Sequence, residues 1–208
     1  MSAQSLRDFV FRVATELGHS IKLSQPAPDA EQLPPPLQPL YALTDGLELP
    51  FAEFHTAAEL HANATASHFG ESWLAFGFDG NFTHYLVSTV AALPPIAAFD
   101  PEVEDAPEGI YDSVLDLLED EYILFVENER HYGDLHVTAI PAATSLPSVV
   151  QELKHLAAVP TAELLKRLRT LPLVLDCVNA ATGISVVRGL HALGVGASLQ
   201  NVRQEDTG

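Results

Sequence analysis

The sequence predicts a fold of mixed α-helices and β-strands, with a small α/β subdomain near its C-terminal end, and three local patterns indicate it. Apolar residues recur at helical spacing from Ser5 to Leu17, which predicts an amphipathic helix. The apolar segments Trp73 to Phe78 and Phe82 to Val87 flank Asp79-Gly80-Asn81, a turn sequence typical of a β-hairpin. A strand-helix-strand pattern follows over residues 171–199.

The remaining elements of the first two-thirds follow from proline content and periodicity. We expect segment 22–36 to be extended and not helical, because its prolines cannot complete helix hydrogen bonds. The other predicted elements are a short helix through Leu37, Leu40 and Leu43, a strand through Leu47, Leu49 and Phe51, a helix from Thr56 to about Ser67, a strand from Pro95 to Phe99, and a helix from Glu108 to Leu118 with Ile110, Val114, Leu117 and Leu118 facing inward.

The last third is predicted to combine helices with short apolar strands. Its elements are helices over Leu146 to Leu156 and Thr161 to Leu168, a strand over Leu171 to Cys177, a helix over Ala180 to Leu193 carrying Ile184, Val187 and Leu190, and a strand over Val195 to Leu199. The final strand, helix and strand form the predicted α/β subdomain.

The composition is that of a globular protein, with 47% hydrophobic and 18% charged residues among 208. No apolar stretch approaches the roughly 20 residues that a membrane span needs. Polar residues interrupt the apolar ones after Met1, so we expect no signal peptide. The single Cys177 cannot form an internal disulfide, which fits a reducing compartment and a cytoplasmic location.

The acidic residues are unevenly distributed along a chain whose formal net charge is -18. Thirteen of them lie between Asp100 and Asp134, where Arg130 is the only Lys or Arg. After that segment, acidic and basic residues balance. The change in composition predicts a boundary between a first domain over 1–135 and a subdomain over 145–204.

This charge constrains the class of partner. It repels nucleic-acid phosphates and anionic membranes, so we expect neither as a partner. It attracts a basic protein and speeds the encounter with it; the alternative is a surface that is only solvated. The residues expected to form the acidic binding face are Asp100, Glu102, Glu104, Asp105, Asp112, Asp116, Glu119 and Asp120.

Four blocks, in a fixed order, carry a resemblance to a known superfamily. Leu33 to Phe54 contains a Leu-Pro pair, a helix with Leu and Tyr, and Asp-Gly before a strand. Trp73 to Val87 is similar to a central hairpin with an Asp-Gly turn, Ile96 to Glu102 to a strand ending in Asp-x-Glu, and Gly109 to Tyr122 to an amphipathic helix. Over roughly residues 1 to 125, the chain resembles the SUKH superfamily, the Smi/Knr-like group of glucan-synthesis regulators. The residues that match its opening pattern are Leu33, Pro34, Leu37, Leu40, Tyr41, Asp45 and Gly46.

The resemblance implies an α+β domain with a mixed or antiparallel sheet and helices packed on it. It also implies a binding role, since bacterial members often neutralise a toxin as immunity proteins and fungal members are regulators and scaffolds. Two departures concern the details of any pocket. The strand after the hairpin runs into Ser88-Thr89 where an acidic residue is usual, and the proline-rich connector is long.

The histidines are the candidate metal ligands. His55, His61 and His68 are spaced by six and seven residues, so they share no helical face and form no His-x-x-x-His pair. His131 and His136, in a predicted loop or hairpin, are candidate zinc ligands together with Glu127 or Asp134. Metal sites usually show tighter spacing, and we expect no metal and no cofactor.

Other reactive residue types have structural interpretations. Asp79 is a candidate catalytic carboxylate, but a turn residue that accepts hydrogen bonds from its own backbone is the favoured interpretation. Cys177, in an apolar strand, is expected to be a buried small hydrophobe. Trp73, Phe76, Phe78 and Tyr85 are expected to fill the core. No nucleophile elbow, P-loop or dinucleotide fingerprint occurs.

These observations favour a non-catalytic protein-binding module, an immunity-type antitoxin or a regulatory protein, rather than an enzyme. Its expected partner is a basic protein, such as a toxin domain. One alternative is a scaffold or regulatory protein without a toxin partner, in which the C-terminal unit makes the contact. The other is a metal-dependent hydrolase that uses the histidines.

Overall fold

The fold is α+β, as predicted. A computed structural model of the protein describes residues 3–18, 21, 23–64, 69, 72–80, 82–90, 93–104, 106–107, 109–128, 131–154, 156 and 160–204. These residues form seven α-helices and two antiparallel sheets, one of six strands and one of three. No helix among them has the length and apolar character that a membrane span requires.

The chain divides into two compact units. The first comprises Met1–Phe11 and Ile21–Ile123, and the second comprises Arg12–Ser20 and Leu124–Gly208. The two sheets follow this division, since the six-stranded sheet uses strands before residue 112 and the three-stranded sheet uses strands after residue 130.

The first unit is built on the six-stranded sheet, in which every strand pairs with its neighbour in the chain. Its strands are β1 (Leu47–Leu49), β2 (Ala52–Phe54), β3 (Trp73–Phe78), β4 (His84–Ser88), β5 (Ile96–Phe99) and β6 (Gly109–Tyr111). The helices of this part of the chain are α1 (Ala3–Leu17), α2 (Gln38–Tyr41), α3 (Ala57–Ala64) and α4 (Val114–Glu127). The residues of α1 after Phe11 and those of α4 after Ile123 belong to the second unit. The sequence predicted α1 and the β3-β4 hairpin correctly; Asn81 and the end of the third predicted helix lie outside the described residues.

Aromatic rings fill the centre of the first unit. The ring of Phe54 lies 5.7 Å from that of Phe76 and 5.6 Å from that of Tyr85. Phe76 and Tyr85 are fully buried, as expected, whereas Trp73 and Phe78 are only half-buried. Packing of this kind contributes both apolar burial and favourable ring geometry.

The strand predicted through Leu49 and Phe51 is two strands. β1 ends at Leu49, which pairs with Ala52 across a two-residue turn formed by Pro50 and Phe51. Proline has no N–H to donate to a sheet, so Pro50 ends the strand. The alternation of apolar residues correctly predicted that Phe51 is buried. It did not reveal that the chain reverses direction between Leu49 and Ala52.

The proline-rich segment 22–36 is also not wholly extended. A 3-10 helix spans Ala30–Gln32, in a stretch without proline. The prediction that this segment contains no helix was therefore wrong at Ala30–Gln32, where the backbone N–H groups are present. The Gln32 N–H donates to the Asp29 carbonyl at 2.8 Å.

The helix predicted from Glu108 begins six residues later, at Val114, and the prediction for Ile110 was wrong. Gly109–Tyr111 form the edge strand β6, and the Ile110 side chain is 51% exposed instead of facing inward. The helix starts after Ser113, whose hydroxyl accepts the Asp116 N–H at 3.2 Å and donates to the Asp116 carboxylate at 2.7 Å. The other predicted inward residues, Val114, Leu117 and Leu118, are fully buried.

We expect Ser113→Ala to lower the free energy of unfolding by about 1 kcal/mol, because the hydroxyl satisfies an N–H in the first turn of α4. Urea unfolding followed by the fluorescence of Trp73, the single tryptophan, measures it. Ser145 precedes the helix α5 (Leu146–Leu153) without a side-chain capping hydrogen bond, so Ser145→Ala is the matched control. Because Ser145 belongs to the second unit, far-UV circular dichroism in urea measures this control. Equal losses from the two variants would contradict the capping role.

The second unit contains the three-stranded sheet, in the order β8-β7-β9. Its elements after α4 are β7 (His131–Ala139), α5 (Leu146–Leu153), α6 (Thr161–Arg167), β8 (Leu173–Asn179), α7 (Ala180–Ala192) and β9 (Gly196–Gln204). The predicted strand, helix and strand are present as β8, α7 and β9, and the predicted helix residues Ile184, Val187 and Leu190 are buried. However, β7 lies between the two strands and pairs antiparallel with both.

The central strand β7 was missed, and its two histidines therefore lie in a strand instead of a loop or hairpin. Its inward residues are Leu135 and Val137, both fully buried. Leu199 of the neighbouring strand β9 pairs with Leu135 and is also fully buried. Short alternation interrupted by His, Gly and Asp is a weak strand signal, so the position of β7 depends on its two pairing partners.

An ion pair with a buried carboxylate links two helical segments within the second unit. Arg188 on α7 donates to both carboxylate oxygens of Glu16, at 2.7 and 2.9 Å. The Glu16 side chain is 5% exposed, whereas that of Arg188 is 53% exposed. The pair thus satisfies a buried carboxylate while the guanidinium remains in contact with solvent.

Candidate functional site

The acidic segment begins in the turn after β5, where two carboxylates accept hydrogen bonds from backbone N–H groups. Asp100 accepts the Glu102 N–H at 2.9 Å, and Glu104 accepts the Asp100 N–H at 3.2 Å. Such local hydrogen bonds are typical of turn residues. The carboxylates of Asp100 and Glu104 therefore have a structural role in the turn, and Asp105 lies outside the described residues.

The other four predicted residues, Asp112, Asp116, Glu119 and Asp120, are all exposed at the start of α4. We call these four residues the acidic face. The last three share one side of the helix because positions three and four apart are neighbours on a helix surface. Asp112 lies just before the helix in the connection from β6. Asp120 also accepts a hydrogen bond from the Tyr111 hydroxyl at 2.9 Å, which links the helix to the edge strand.

Two exposed apolar side chains border the acidic face. Ile110 on β6 is 51% exposed and Ile123 on α4 is 49% exposed. Ile110 precedes Asp112 by two residues, and Ile123 follows Asp120 by three residues, on the same side of the helix. Apolar side chains next to charged ones are typical of protein interfaces, where the charges form a rim.

A half-buried carboxyl, Glu121, lies directly beside the acidic face. The pKa of Glu121 is raised to about 7. Burial is the largest cause, a hydrogen bond with Tyr85 opposes it, and the negative charges of Asp79 and Asp120 add to it. Tyr85 is fully buried on β4, and burial also raises the pKa of its phenol. Glu121 therefore lies in a cluster of acids and phenols. Its other members are Asp79, just after β3, Tyr85 on β4, Tyr111 on β6 and Asp120 on α4.

The sequence pattern did not reveal the surroundings of Glu121, although it contains one signal of them. Val114, Leu117, Leu118 and Tyr122 form the apolar stripe of α4, and Glu121 stands seven residues after Val114, within the same stripe. A carboxyl at an inward position of an otherwise apolar stripe indicates a group with a specific partner. The partner, Tyr85, is distant in sequence and was not predictable from the helix.

Asp79 has the turn role that the sequence favoured. Its carboxylate accepts the Thr83 N–H at 3.1 Å, and its own N–H donates to the Thr83 carbonyl at 3.1 Å. The two hydrogen bonds close the connection between β3 and β4. The same carboxylate contributes its negative charge to the Glu121 environment.

The described histidines are dispersed among structural contacts. His61 lies 3.0 Å from the Asp29 carboxylate, and His131 Nδ1 lies 2.9 Å from the Phe125 carbonyl oxygen. His136 belongs to β7, and His68 lies outside the described residues. Across the part of the chain that the structure describes, no three His, Cys, Asp or Glu side chains are arranged to hold a metal ion.

Cys177 is exposed, so the expectation of a buried thiol was wrong. The pairing of β7 with β8 shifts register between Gly133 and Leu135, which places Asp176 and Cys177 opposite Asp134 alone. This bulge adds a residue and turns Cys177 outward, with φ at 55°. Asp134 accepts the Cys177 N–H at 3.3 Å and an Asn201 amide N–H at 2.9 Å, and these bonds lower the pKa of Asp134.

A surface cleft of about 470 Å³ lies between α5 and α6 in the second unit. Pro147, Val150 and Leu165 supply its apolar lining, and Gln151, Lys154 and Thr161 its polar lining. Among the lining residues that the structure describes, Lys154 is the one titratable side chain.

Comparison with protein-family models, with curated proteins and with solved structures found no match for this chain.

Proposed function

We propose that the protein is a non-catalytic protein-binding module of the SUKH type, acting as an immunity protein or a regulator, and that it binds a basic protein. The observation that carries the proposal is the exposure of all four residues of the acidic face at the start of α4. The lone Cys177 favours a cytoplasmic location for this interaction.

The acidic face and its apolar neighbours have complementary roles in the proposed complex. The four carboxylates steer a basic partner over a screening distance of roughly 8 Å at physiological salt. Ile110 and Ile123 supply apolar area that the partner covers, and such buried contacts determine how long a complex lasts. The charges therefore act mainly on the association rate and the apolar pair mainly on the dissociation rate.

We expect the fourfold variant Asp112→Asn, Asp116→Asn, Glu119→Gln and Asp120→Asn to associate with a purified basic partner roughly tenfold more slowly than the wild type. Its association rate should also depend less on salt, because fewer charges steer the encounter. Stopped-flow or surface plasmon resonance measurements at low and at physiological salt determine both quantities. The partner is first isolated by affinity capture on the wild-type protein.

A second variant with the same change in net charge is the control. Glu31, Glu48, Glu53 and Glu163 are exposed on other parts of the surface, and replacing all four by Gln also removes four negative charges. This control variant should retain most of the wild-type association rate if the acidic face is the docking surface. Equal slowing in both variants would mean that only net charge matters, and unchanged rates in both would assign the acidic face to solvation alone.

A further inference from the structure

The strand β6 (Gly109–Tyr111) is the last strand of the six-stranded sheet. In the part of the chain that the structure describes, only β5 pairs with it, so its other edge is open. Such an edge presents backbone N–H and C=O groups that another strand can bind. β6 contains neither proline nor lysine, the residues that often block an edge.

The registers of β4, β5 and β6 show that Ile110 directs its backbone groups to this open edge. In an antiparallel sheet, hydrogen-bonded and non-hydrogen-bonded pairs alternate. The Ser88 N–H donates to the Pro95 carbonyl at 3.0 Å, so Ala97, two residues after Pro95, also directs its N–H and C=O to β4. Ala97 is the partner of Ile110, and its backbone groups are therefore turned away from β6. By the same alternation, the N–H and C=O of Ile110 point away from β5.

The two sides of this edge differ in chemistry. Successive side chains of a strand point to opposite faces of the sheet. The Tyr111 hydroxyl donates to the Asp120 carboxylate at 2.9 Å, so Tyr111 lies on the side of the sheet where α4 presents this residue of the acidic face. Ile110 points to the opposite side, where its side chain is 51% exposed. A strand added at the edge therefore meets a carboxylate on one side and an apolar side chain on the other.

We propose that the basic partner adds an extended segment to the edge of β6, and that apolar and basic residues alternate along this segment. Ile110 donates one backbone hydrogen bond to the segment and accepts one from it. The basic side chains lie beside Asp120, and the apolar side chains cover Ile110. This inference rests on the proposed function and specifies how the partner binds.

The charge at this edge favours a basic segment over a second copy of the same chain. Pairing of two copies at β6 would bring the carboxylates of Asp112 and Asp120 of both copies to one interface. Like charges side by side destabilise paired strands, and the net charge of -18 opposes the approach of two copies. Because β6 has only three residues, few backbone hydrogen bonds form there, and the charged and apolar contacts supply the rest of the affinity.

The first test is amide hydrogen exchange of the whole protein, followed by NMR, with a short synthetic peptide in which Lys and Val alternate as the probe. In the free protein, the Ile110 amide should exchange rapidly because no strand binds it. Peptide in about tenfold excess over its dissociation constant should slow this exchange roughly tenfold. A peptide of the same composition, with Lys and Val in separate blocks, is the control. It should bind more weakly because it cannot place all its Val side chains on one side of a strand.

The second test compares two variants at position 110. Ile110→Pro removes the outward N–H without removing a hydrogen bond of the sheet, and proline is accepted at such edge positions. Ile110→Ala is the matched control, because it also shortens the side chain but retains the N–H. We expect Ile110→Pro to bind the alternating peptide roughly fivefold more weakly than Ile110→Ala, the effect of one hydrogen bond. Hydrogen exchange of the wild type does not depend on these variants, so it tests the inference even if proline disturbs folding.

Three results would overturn strand addition at β6. They are an alternating peptide that does not bind, an Ile110 amide whose exchange is unchanged at saturation, and equal affinities of Ile110→Pro and Ile110→Ala. The proposed function has its own test in the fourfold variant of the acidic face. If that variant slows association of the isolated basic partner while the two Ile110 variants bind this partner equally, the binding function stands and strand addition is wrong.

Discussion

Replacing Gly77 by alanine is expected to destabilise the first unit by about 2 to 3 kcal/mol. Gly77 lies at the register shift between β3 and β4 and pairs with Phe54 of β2 on its other side. A Cβ atom there would collide with the Glu53 carbonyl oxygen and lie 3.0 Å from the Phe54 ring. The obstacles belong to the backbone of a paired strand and to a buried ring, which cannot move without breaking sheet hydrogen bonds or core packing.

Gly80→Ala separates this collision from the general cost of replacing a glycine. Gly80 has φ at +83°, but no atom lies within 4 Å of a Cβ placed there. Its substitution should therefore cost only the left-handed backbone strain, roughly 1 kcal/mol. Urea unfolding followed by Trp73 fluorescence measures both variants in the first unit. If Gly77→Ala lost no more stability than Gly80→Ala, close approach of the strands would not be the reason for glycine at position 77.

The second large effect is expected in the second unit, where Arg188→Met should cost about 3 kcal/mol. Methionine retains most of the apolar stem but leaves the Glu16 carboxylate, with a side chain 5% exposed, without the two hydrogen bonds from the guanidinium. A buried charge that loses its partner is among the costliest single changes in a protein. Hydrogen exchange of the β7 amides and far-UV circular dichroism in urea report the stability of this unit.

Three further variants test the explanation. Arg188→Lys keeps the charge but cannot hold both oxygens in the same geometry, so it should lie between wild type and Arg188→Met. Arg203 lies 3.8 Å from the Asp134 carboxylate with a side chain 56% exposed, so Arg203→Met should cost less than about 1 kcal/mol. Glu16→Met in the Arg188→Met background should recover part of the loss, since it removes the buried charge. Strictly additive losses would show that the two residues do not interact energetically.

Local sequence patterns were sufficient for the elements whose burial is regular. The apolar stripe of α1 places Leu6, Val13 and Leu17 in the core, all at most 1% exposed. Asp79-Gly80 marks the β3-β4 hairpin, and Asp79 forms the expected backbone hydrogen bonds. In these cases every residue involved lies within a few positions of the others, so periodicity and turn chemistry contain the necessary information.

The candidate site was only partly predictable for the same reason. The acids of α4 were expected to project outward from spacing alone, and Asp116, Glu119 and Asp120 are exposed. The exposure of Ile110 was not expected. The helical spacing of apolar residues extends back from α4 past Ser113 to Ile110, although Ile110 belongs to the strand β6. The Ser113 hydroxyl caps the true helix start, and the pairing of β6 with β5 holds Ile110 in a strand.

What the sequence by itself determined is the α+β class, the main helices and the outward face of α4, since each follows from the spacing of apolar residues along one element. Only the tertiary structure decided that β7 is the central strand of the second sheet, that a bulge exposes Cys177, and that Glu121 meets Tyr85. Each of these depends on contacts between segments far apart in the chain. The pKa of Glu121 illustrates the difference, because its value depends on burial and on charges brought together from separate elements of the first unit.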